Sequence, residues 1–398
     1  MKPRRRERSE KVGGNRNQKE VTPLKLGLVL SGGGTRAAYQ AGALRALIPY
    51  LEKNPEPISI ILGSSIGAVN GLVIGACLQH GLQHAADELR ALWVKRTFRN
   101  TFSGSPSMAF FRAIRMAFVQ YMAPGPKGTD NSIFDPGPLM KDIDDVIVRN
   151  GGLHPDNRIE SLESIGVMTT VEGDERKPLL FLNTREEIPE TWMHGASFNL
   201  HQVTELTAKY GFASAALPSV LPPVEIDTGD GKFRLIDGGI SQNVPVDPAV
   251  RLGAERVIIL DISGRSFWLD QYNEAHDTRP TWEVPAGLDT FCMRPPETFV
   301  MRNSSPFGGI LKDTVGNSSR RFIETLGPIW PVFKILKNKL GEALAYEVMT
   351  YAALDPEYLT AIIELGYKET SKKLKEHSLT FDQHETMEEM VIASSEDI

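Results

Sequence analysis

Short apolar runs, each followed by glycines and then by helical spacing, recur along the first eighty residues. The run LKLGLVL at 24–30 leads into Ser31 and three glycines. Beyond them, apolar side chains recur at helical spacing at Tyr39, Ala43, Leu44, Leu47 and Leu51. A second run, ISIIL, passes through GSSIG into AVNGLVIGACLQ. Two successive strand, turn and helix units predict a βαβ pattern in a parallel sheet.

Later apolar runs extend this pattern and divide the chain. Strands are expected at 165–171, 178–182, 233–236 and 257–262, and helices near 139–149 and 246–252. We predict four parts: a basic tail at 1–23, an α/β domain at 24–264, a proline-rich connector and helical extension at 265–375, and an acidic tail at 376–398. Because five prolines follow Ser263 among glycine and polar residues, little regular structure is expected before residue 318.

The stretch at 59–78 has no charged side chain and is long enough to cross a bilayer. Its composition argues against a span, since ISIIL runs directly into Gly63, two serines and Gly67. A central parallel strand and its packed helix are also expected to be apolar on both faces. We therefore predict a strand, a turn and a helix here.

Composition narrows the class of protein. With 41% hydrophobic residues over 398 positions, the chain can build a large core. Its net charge of −6 argues against a nucleic-acid partner held by overall positive charge. Only Cys77 and Cys292 occur, so neither a disulfide framework nor a cysteine metal cluster is available. We expect no metal, and a location in the reducing cytoplasm.

Both ends of the chain are strongly charged. The first twenty residues hold eight Lys or Arg against three Glu, with no apolar segment behind them. This favours either a disordered tail or a polybasic segment near anionic lipid. From Phe381 onward only acidic charges occur, which predicts a flexible acidic tail.

The GSSIG turn offers a reactive serine. It matches G-x-S-x-G, the nucleophile elbow, which predicts Ser65 as a nucleophile on a tight strand-to-helix turn. Side chains at Gly63 and Gly67 would collide with the neighbouring strand and helix. The match alone is weak, and the strand before it and helix after it strengthen it.

The glycine loop at Gly32, Gly33 and Gly34 fits two chemistries. Together with Ala37 it satisfies the dinucleotide fingerprint G-x-G-x-x-G/A. A dinucleotide site needs an acidic residue at the end of the second strand, and this strand ends in Gly63 and two serines. The alternative is an oxyanion hole, in which the loop amides face the oxygen of a tetrahedral intermediate.

A serine nucleophile needs a proton acceptor. The histidines are poor candidates, since His80 and His84 close the helix after the elbow and the others lie in connectors or near the tail. Asp237 ends a predicted strand with Gly238 and Gly239 behind it. An aspartate is a weak base in water, so we expect burial to raise the pKa of Asp237.

Taken in order, GGGTR at 32–36, GSSIG at 63–67 and DGG at 237–239 resemble the patatin-like phospholipase family. The stretches AYQAGAL and ASAALPSVLPPV are also similar to bacterial members, so the likeness covers about 24–264. It implies a three-layer α/β/α fold with a mostly parallel central sheet, to which the C-terminal extension is added. It also implies a Ser65–Asp237 dyad without histidine.

The resemblance further implies an oxyanion hole from Gly32, Gly33 and Gly34 with Arg36 nearby, and calcium-independent hydrolysis of lipid acyl esters without a cofactor. The family usually has glycine after the Arg or Lys of this loop, and this chain has Ala37. A methyl group there would restrict how closely backbone and substrate approach.

Three functions remain open from the sequence. The leading hypothesis is a lipid acyl hydrolase acting on phospholipid or lysophospholipid, peripheral at the cytoplasmic membrane face. A lipid-binding or scaffold protein with little turnover is the second, and a dinucleotide-dependent enzyme the third. No nucleic-acid partner is expected.

Two amphipathic stretches bear on membrane contact. SMAFFRAIRMAFVQYM at 107–122 lies between elbow and base, where a lid or acyl-chain wall is useful. PIWPVFKILKNKL at 328–340 predicts a helix with Ile329, Val332, Phe333, Leu336 and Leu340 on one face. Such a face suits either packing into the core or lying in a membrane interface.

Overall fold

A computed structural model describes residues 24–53, 56–103, 132–173, 175–229, 231–262 and 297–377. The basic tail, the stretch at 107–122 and the acidic residues from 378 onward lie outside the described residues.

Nine strands of the described residues form one sheet. They are β1 (Lys25–Leu30), β2 (Ile58–Ser64), β3 (Ser164–Val171), β4 (Pro178–Thr184), β5 (Asn199–Gln202), β6 (Val224–Asp227), β7 (Lys232–Ile236), β8 (Ala254–Asp261) and β9 (Glu297–Arg302). The order across the sheet is β5-β4-β3-β2-β1-β8-β9, and the β6–β7 hairpin pairs with β3. All pairs along this order are parallel except β3 with β4, so the predicted mostly parallel sheet is confirmed.

Twelve α-helices of the described residues accompany the sheet. They are α1 (Ala38–Leu51), α2 (Ile66–Cys77), α3 (Leu82–Val94), α4 (Phe98–Thr101), α5 (Gly137–Arg149), α6 (Ala208–Ser214), α7 (Val246–Arg251), α8 (Phe307–Val315), α9 (Ser319–Leu326), α10 (Trp330–Leu340), α11 (Glu342–Met349) and α12 (Pro356–His377). A three-layer arrangement follows, because helices or loops cover both faces of the sheet.

Strand β1 shows why both faces need cover. Leu28 and Leu30 point into the larger core, while Val29 points into a smaller core on the opposite face. All three are fully buried, as expected for a central parallel strand. Helices α1, α2 and α3 contribute to the larger core, and α7 packs on the other side with Trp192 and Phe198.

The uncharged stretch at 59–78 forms β2, the elbow and α2, as predicted. Nearly all of it is buried inside the protein. Among the described residues, no helix combines the length and the apolar character that crossing a membrane requires.

The expectation of little regular structure before residue 318 is wrong for residues 297–315, while residues 263–296 lie outside the described residues. Strand β9 and helix α8 both precede that position. Strand β9 pairs in parallel with β8 from Arg256↔Glu297 to Asp261↔Arg302, and Phe299 and Met301 point into the core. Residues 297–302 form a strand because they pair with β8 at the edge of the sheet. The local composition gives no indication of this distant partner. The predicted boundary at 264 thus falls between two neighbouring strands of one sheet.

Helix α10 packs the centre of its predicted apolar face inward. Phe333 is buried against Phe322 and Tyr346, and Leu336 is half-buried against the core. Val332 and Leu340, predicted on the same face, are 43% and 51% exposed, and Ile335 is 55% exposed. The core-packing interpretation holds for the centre of the helix, and an apolar fringe faces outward.

Candidate active site

The turn between β2 and α2 holds Ser65 in a strained backbone conformation. Its φ is 53° and its ψ is −134°, a region that side chains other than glycine rarely adopt. A Cβ at Gly63 would lie 2.5 Å from the Ala68 Cα, and a Cβ at Gly67 would lie 2.4 Å from the Ser31 oxygen. Both glycines are therefore needed for so tight a turn, as the sequence predicted.

Ser214 stabilises the turn through a hydrogen bond to its backbone. The Ser65 backbone N–H donates to the Ser214 Oγ at 2.7 Å, and the Ser214 hydroxyl donates to the Met168 carbonyl of β3. Ser214 is fully buried on α6. Ser214 lies in the stretch ASAALPSVLPPV, for which the sequence alone indicated no role in the site. A lone small polar residue beside apolar ones was the signal.

Asp237 lies directly beside Ser65, although the two are 172 positions apart in sequence. The Ser65 Oγ donates to the Asp237 Oδ2 at 2.6 Å. The other carboxylate oxygen, Oδ1, accepts the Gly239 backbone N–H at 2.7 Å. Asp237 follows β7, and pairing of β7 with β3 carries it to the same edge of the sheet as the elbow.

Burial makes this aspartate a better base than one in water. Asp237 is 6% exposed, and burial raises its pKa from 3.8 to about 6, against the hydrogen bonds from Ser65 and Gly239, which lower it. The direction agrees with the sequence expectation.

The two glycines after Asp237 allow close approach of the backbone. A Cβ at Gly238 would lie 2.1 Å from the Met168 carbonyl oxygen, and a Cβ at Gly239 would lie 2.6 Å from the Asn243 Oδ1. Larger residues at either position would push the carboxylate away from Ser65.

The glycine loop presses against Ser65, but its three amides are not equivalent. A Cβ at Gly32 would lie 2.5 Å from the Ser65 Cβ. The Gly32 N–H already donates to the Asn243 Oδ1 at 3.1 Å, and the Asn243 Nδ2 donates to the Gly32 carbonyl at 3.3 Å. Gly33 and Gly34 have amides without a hydrogen-bond partner among the described residues. Among the glycines predicted for the oxyanion hole, Gly33 and Gly34 are therefore the candidate donors.

Asn243 and Ile66 were missed by sequence reasoning. Asn243 lies six residues after Asp237, and its hydrogen bonds to Gly32 join it to a loop more than 200 positions earlier. Ile66 is the first residue of α2, where a backbone N–H has no partner within the helix. It lines the same cavity and adds a third candidate donor.

Arg36 does not lie in the predicted oxyanion hole. Its side chain is fully buried and does not belong to the cavity lining that contains Ser65 and Asp237. The guanidinium donates to the Glu347 carboxylate at 2.8 Å and to the Thr350 Oγ1 at 2.6 Å. Local sequence could not reveal this, because both partners lie more than 300 positions later. Ala37 is likewise buried in the core and does not line the cavity.

Ser65 and Asp237 line a cavity of about 350 Å³. Its walls are mostly apolar, with Ile66, Val69, Trp93, Phe102, Phe134, Ile143, Phe212 and Leu221 among them. No histidine belongs to the described lining. His80 and His84 pack against each other elsewhere, with ring centroids 5.1 Å apart. The arrangement places a serine hydroxyl bonded to a buried carboxylate, and backbone amides without a hydrogen-bond partner among the described residues, at an apolar cavity.

Comparison with family models gives a match described as patatin-like phospholipase over residues 28–250. Comparison with curated proteins gives no match.

Solved structures show distant likeness. VipD from Legionella pneumophila has 12% identity and a TM-score of 0.37, covering 89% of this chain and 67% of its own. Human GIVD cytosolic phospholipase A2, in complex with methyl gamma-linolenyl fluorophosphonate, has 13% identity and a TM-score of 0.39, covering 89% and 57%. ExoU from Pseudomonas aeruginosa has 12% identity and a TM-score of 0.33, covering 90% and 54%. The chain thus spans between about half and two thirds of these proteins.

Proposed function

The chain belongs to the patatin-like phospholipase family, and on that premise we propose that it is a serine acyl hydrolase of phospholipid or lysophospholipid esters. The observation that carries the proposal is the 2.6 Å hydrogen bond from Ser65 to a buried carboxylate at the end of an apolar cavity.

In the proposed reaction, the Ser65 Oγ attacks the ester carbonyl carbon while Asp237 accepts the hydroxyl proton. The carbonyl oxygen becomes an oxyanion, which the Gly33 and Gly34 amides stabilise, with Ile66 as a further donor. The tetrahedral intermediate collapses, and the leaving alkoxide takes the proton from Asp237. Water then attacks the acyl-serine carbonyl carbon, with Asp237 accepting its proton. The second tetrahedral intermediate collapses, the bond between the acyl carbon and the Ser65 Oγ breaks, Ser65 takes the proton back from Asp237, and the fatty acid leaves.

The strained backbone at Ser65 favours catalysis over passive lipid binding. A φ of 53° at a non-glycine residue costs of the order of 1–3 kcal/mol. A binding module gains nothing from this cost, whereas an enzyme gains a hydroxyl presented to its substrate.

We also propose that α10 contacts the membrane at its cytoplasmic face. Its exposed fringe combines Val332, Ile335 and Leu340 with the exposed Lys334 and Lys339. Apolar side chains flanked by lysines suit an anionic lipid surface.

Flotation with anionic liposomes tests this surface. A Val332→Ser, Ile335→Ser double variant is expected to float less than the unaltered chain, because two apolar anchors are lost. Val148→Ser is the control, since Val148 is 65% exposed on α5. Equal flotation of all three proteins would contradict the proposed contact between α10 and the membrane.

Release of free fatty acid from phospholipid and lysophospholipid vesicles tests the proposed activity. Ser65→Ala is expected to reduce the rate at least 10³-fold, because the nucleophile is lost. Ser64→Ala is the matched control, since the Ser64 Oγ is buried without a hydrogen-bond partner among the described residues. No fatty acid from the unaltered chain, or equal rates for it and Ser65→Ala, would contradict the proposal.

A further inference from the structure

The glycine loop is fastened by residues 347–354, which we call the strap. Thr35 donates its backbone N–H to the Tyr351 carbonyl at 3.0 Å and its hydroxyl to the Thr350 carbonyl at 2.7 Å. A Cβ at Gly34 would lie 2.1 Å from the Tyr351 oxygen, so the two backbones touch. A displacement of the strap therefore displaces the loop.

A buried charge pair locks the strap to the loop. Besides its bonds to the Glu347 carboxylate and Thr350, Arg36 donates to the Glu347 carbonyl at 2.8 Å. Its guanidinium lies 3.8 Å from the centroid of the Tyr351 ring. The second Glu347 oxygen accepts the Gly308 N–H at 2.6 Å, which ties the pair to α8.

Such a pair is a costly way to gain stability alone. Arg36 is fully buried and Glu347 is 6% exposed, so both charges have lost most of their hydration. Apolar residues of similar volume often stabilise a protein as well or better. What the pair adds is geometry, because four charge-assisted hydrogen bonds and the Tyr351 ring fix the position and the orientation of the guanidinium and the carboxylate.

The strap also reaches the catalytic cavity, although it lies outside the residues that the family model matches. Tyr351, Ala352 and Leu354 form part of the cavity wall beside Gly33 and Gly34. One short segment therefore contacts both the glycine loop and the cavity.

We propose that the strap positions the Gly33 and Gly34 amides toward the oxyanion, with Arg36, Glu347 and Thr350 as positioning residues. The inference rests on the function proposed above. Oxyanion donors act at 2.7–3.1 Å from the developing charge. A misplacement of about 1 Å costs as much as a hundredfold in rate.

Thr350 offers the sharpest test, because its hydroxyl joins Arg36 to Glu347. It accepts from the Arg36 Nε and donates to the Glu347 carbonyl. Thr350→Val removes the hydroxyl at nearly constant shape, and Thr350→Ser keeps it. Per Ser65 titrated with a fluorophosphonate, we expect Thr350→Val to lower kcat about tenfold to a hundredfold with KM unchanged. Thr350→Ser should restore kcat, which a loss of packing alone would not do.

Glu347→Gln is the stronger variant, with Glu342→Gln on the same helix as control. Glu342 pairs with Lys312 and Lys337 at the surface, away from the loop. We expect a larger fall in kcat for Glu347→Gln than for Thr350→Val, and none for Glu342→Gln. If Glu347→Gln does not fold, the Thr350 pair still decides.

Hydrogen exchange separates this proposal from the proposed activity. Faster exchange of the Thr35 amide is expected in Thr350→Val, whether or not the chain hydrolyses a lipid. If the unaltered chain is active and Thr350→Val has the same kcat, the positioning role of the strap is contradicted, and the proposed hydrolase activity is not affected. A chain without hydrolysis overturns the activity, and unchanged Thr35 exchange then overturns the strap as well.

Discussion

At the scale of the residue, the ionised carboxylate of Asp237 is less stable inside the protein than the carboxylate of an aspartate in water. Burial lifts its pKa from 3.8 to about 6, so the folded protein prefers the protonated carboxyl. The contribution of Asp237 to the free energy of unfolding is therefore fully present below pH 3.8 and is lost as pH rises through 6. At neutral pH the charged base costs the fold about 3 kcal/mol.

The same pKa predicts the pH profile of activity. In the proposed reaction Asp237 accepts the Ser65 proton only when it is ionised, so kcat/KM is expected to fall about tenfold per unit below pH 6. Initial rates on a soluble short-chain ester between pH 4 and 9 measure this. A reaction rate that stays unchanged down to pH 4 would mean that Asp237 is not the base.

Asp237→Asn should exchange activity for stability. Asparagine can still accept the Gly239 N–H, but it carries no buried charge and cannot take a proton. We expect activity to be lost and the free energy of unfolding to rise by about 3 kcal/mol at pH 8, and by about half as much at pH 5. Denaturant unfolding at both pH values checks this. A gain that does not depend on pH would contradict the raised pKa.

Ser65 and Asp237, which the structure brings together, could be selected from the sequence because each lies on a turn with glycines that the close backbone contacts require. Asn243, Ser214 and the orientation of Arg36 were not readable. Their partners lie 149 to 314 positions away, and nothing in the local sequence specifies such pairs.

At the scale of the element, helices α1 and α12 cross with their backbones in contact. A Cβ at Gly42 would lie 1.8 Å from the Ile363 carbonyl oxygen, and a Cβ at Gly366 would lie 2.2 Å from the Tyr39 carbonyl oxygen. Tyr39 also donates its hydroxyl to Glu369 at 2.8 Å across the crossing. The sequence predicted both helices, but helical spacing gave no indication that they pack together.

Gly42→Ala tests this crossing. The added methyl group collides with the Ile363 backbone of α12, which cannot move independently of the helix. We therefore expect the free energy of unfolding to fall by about 1–3 kcal/mol or more. Gly309→Ala on α8 is the control, since nothing lies within 4 Å of its Cβ position. There the higher helix propensity of alanine should stabilise the protein by up to about 1 kcal/mol. Equal effects of both changes on thermal unfolding would contradict the close crossing.

At the scale of the whole molecule, residues 297–377 complete the fold that the family motifs begin. They supply an edge strand, the helix that covers α1 and part of the cavity wall. The sequence predicted an extension of the catalytic domain but not its integration, because β9 and α12 are placed by packing against distant elements.

A chain ending at residue 303 is therefore expected to lose its fold. It keeps β9 but exposes the apolar face of α1, and it lacks Glu347, Thr350 and Tyr351. A chain ending at residue 377 keeps every contact described above. We expect soluble protein with cooperative unfolding from the longer chain alone, and the same melting curve from both would contradict the integrated fold.

The most direct test of the account is the site at which a fluorophosphonate reacts with the intact protein, mapped by mass spectrometry of peptides. We predict one adduct, on the Ser65 Oγ, formed at an unchanged rate in Ser64→Ala and at least 10²-fold more slowly in Asp237→Asn. An adduct on Ser64 or another serine, or labelling that does not depend on Asp237, would contradict a Ser65 nucleophile activated by that carboxylate.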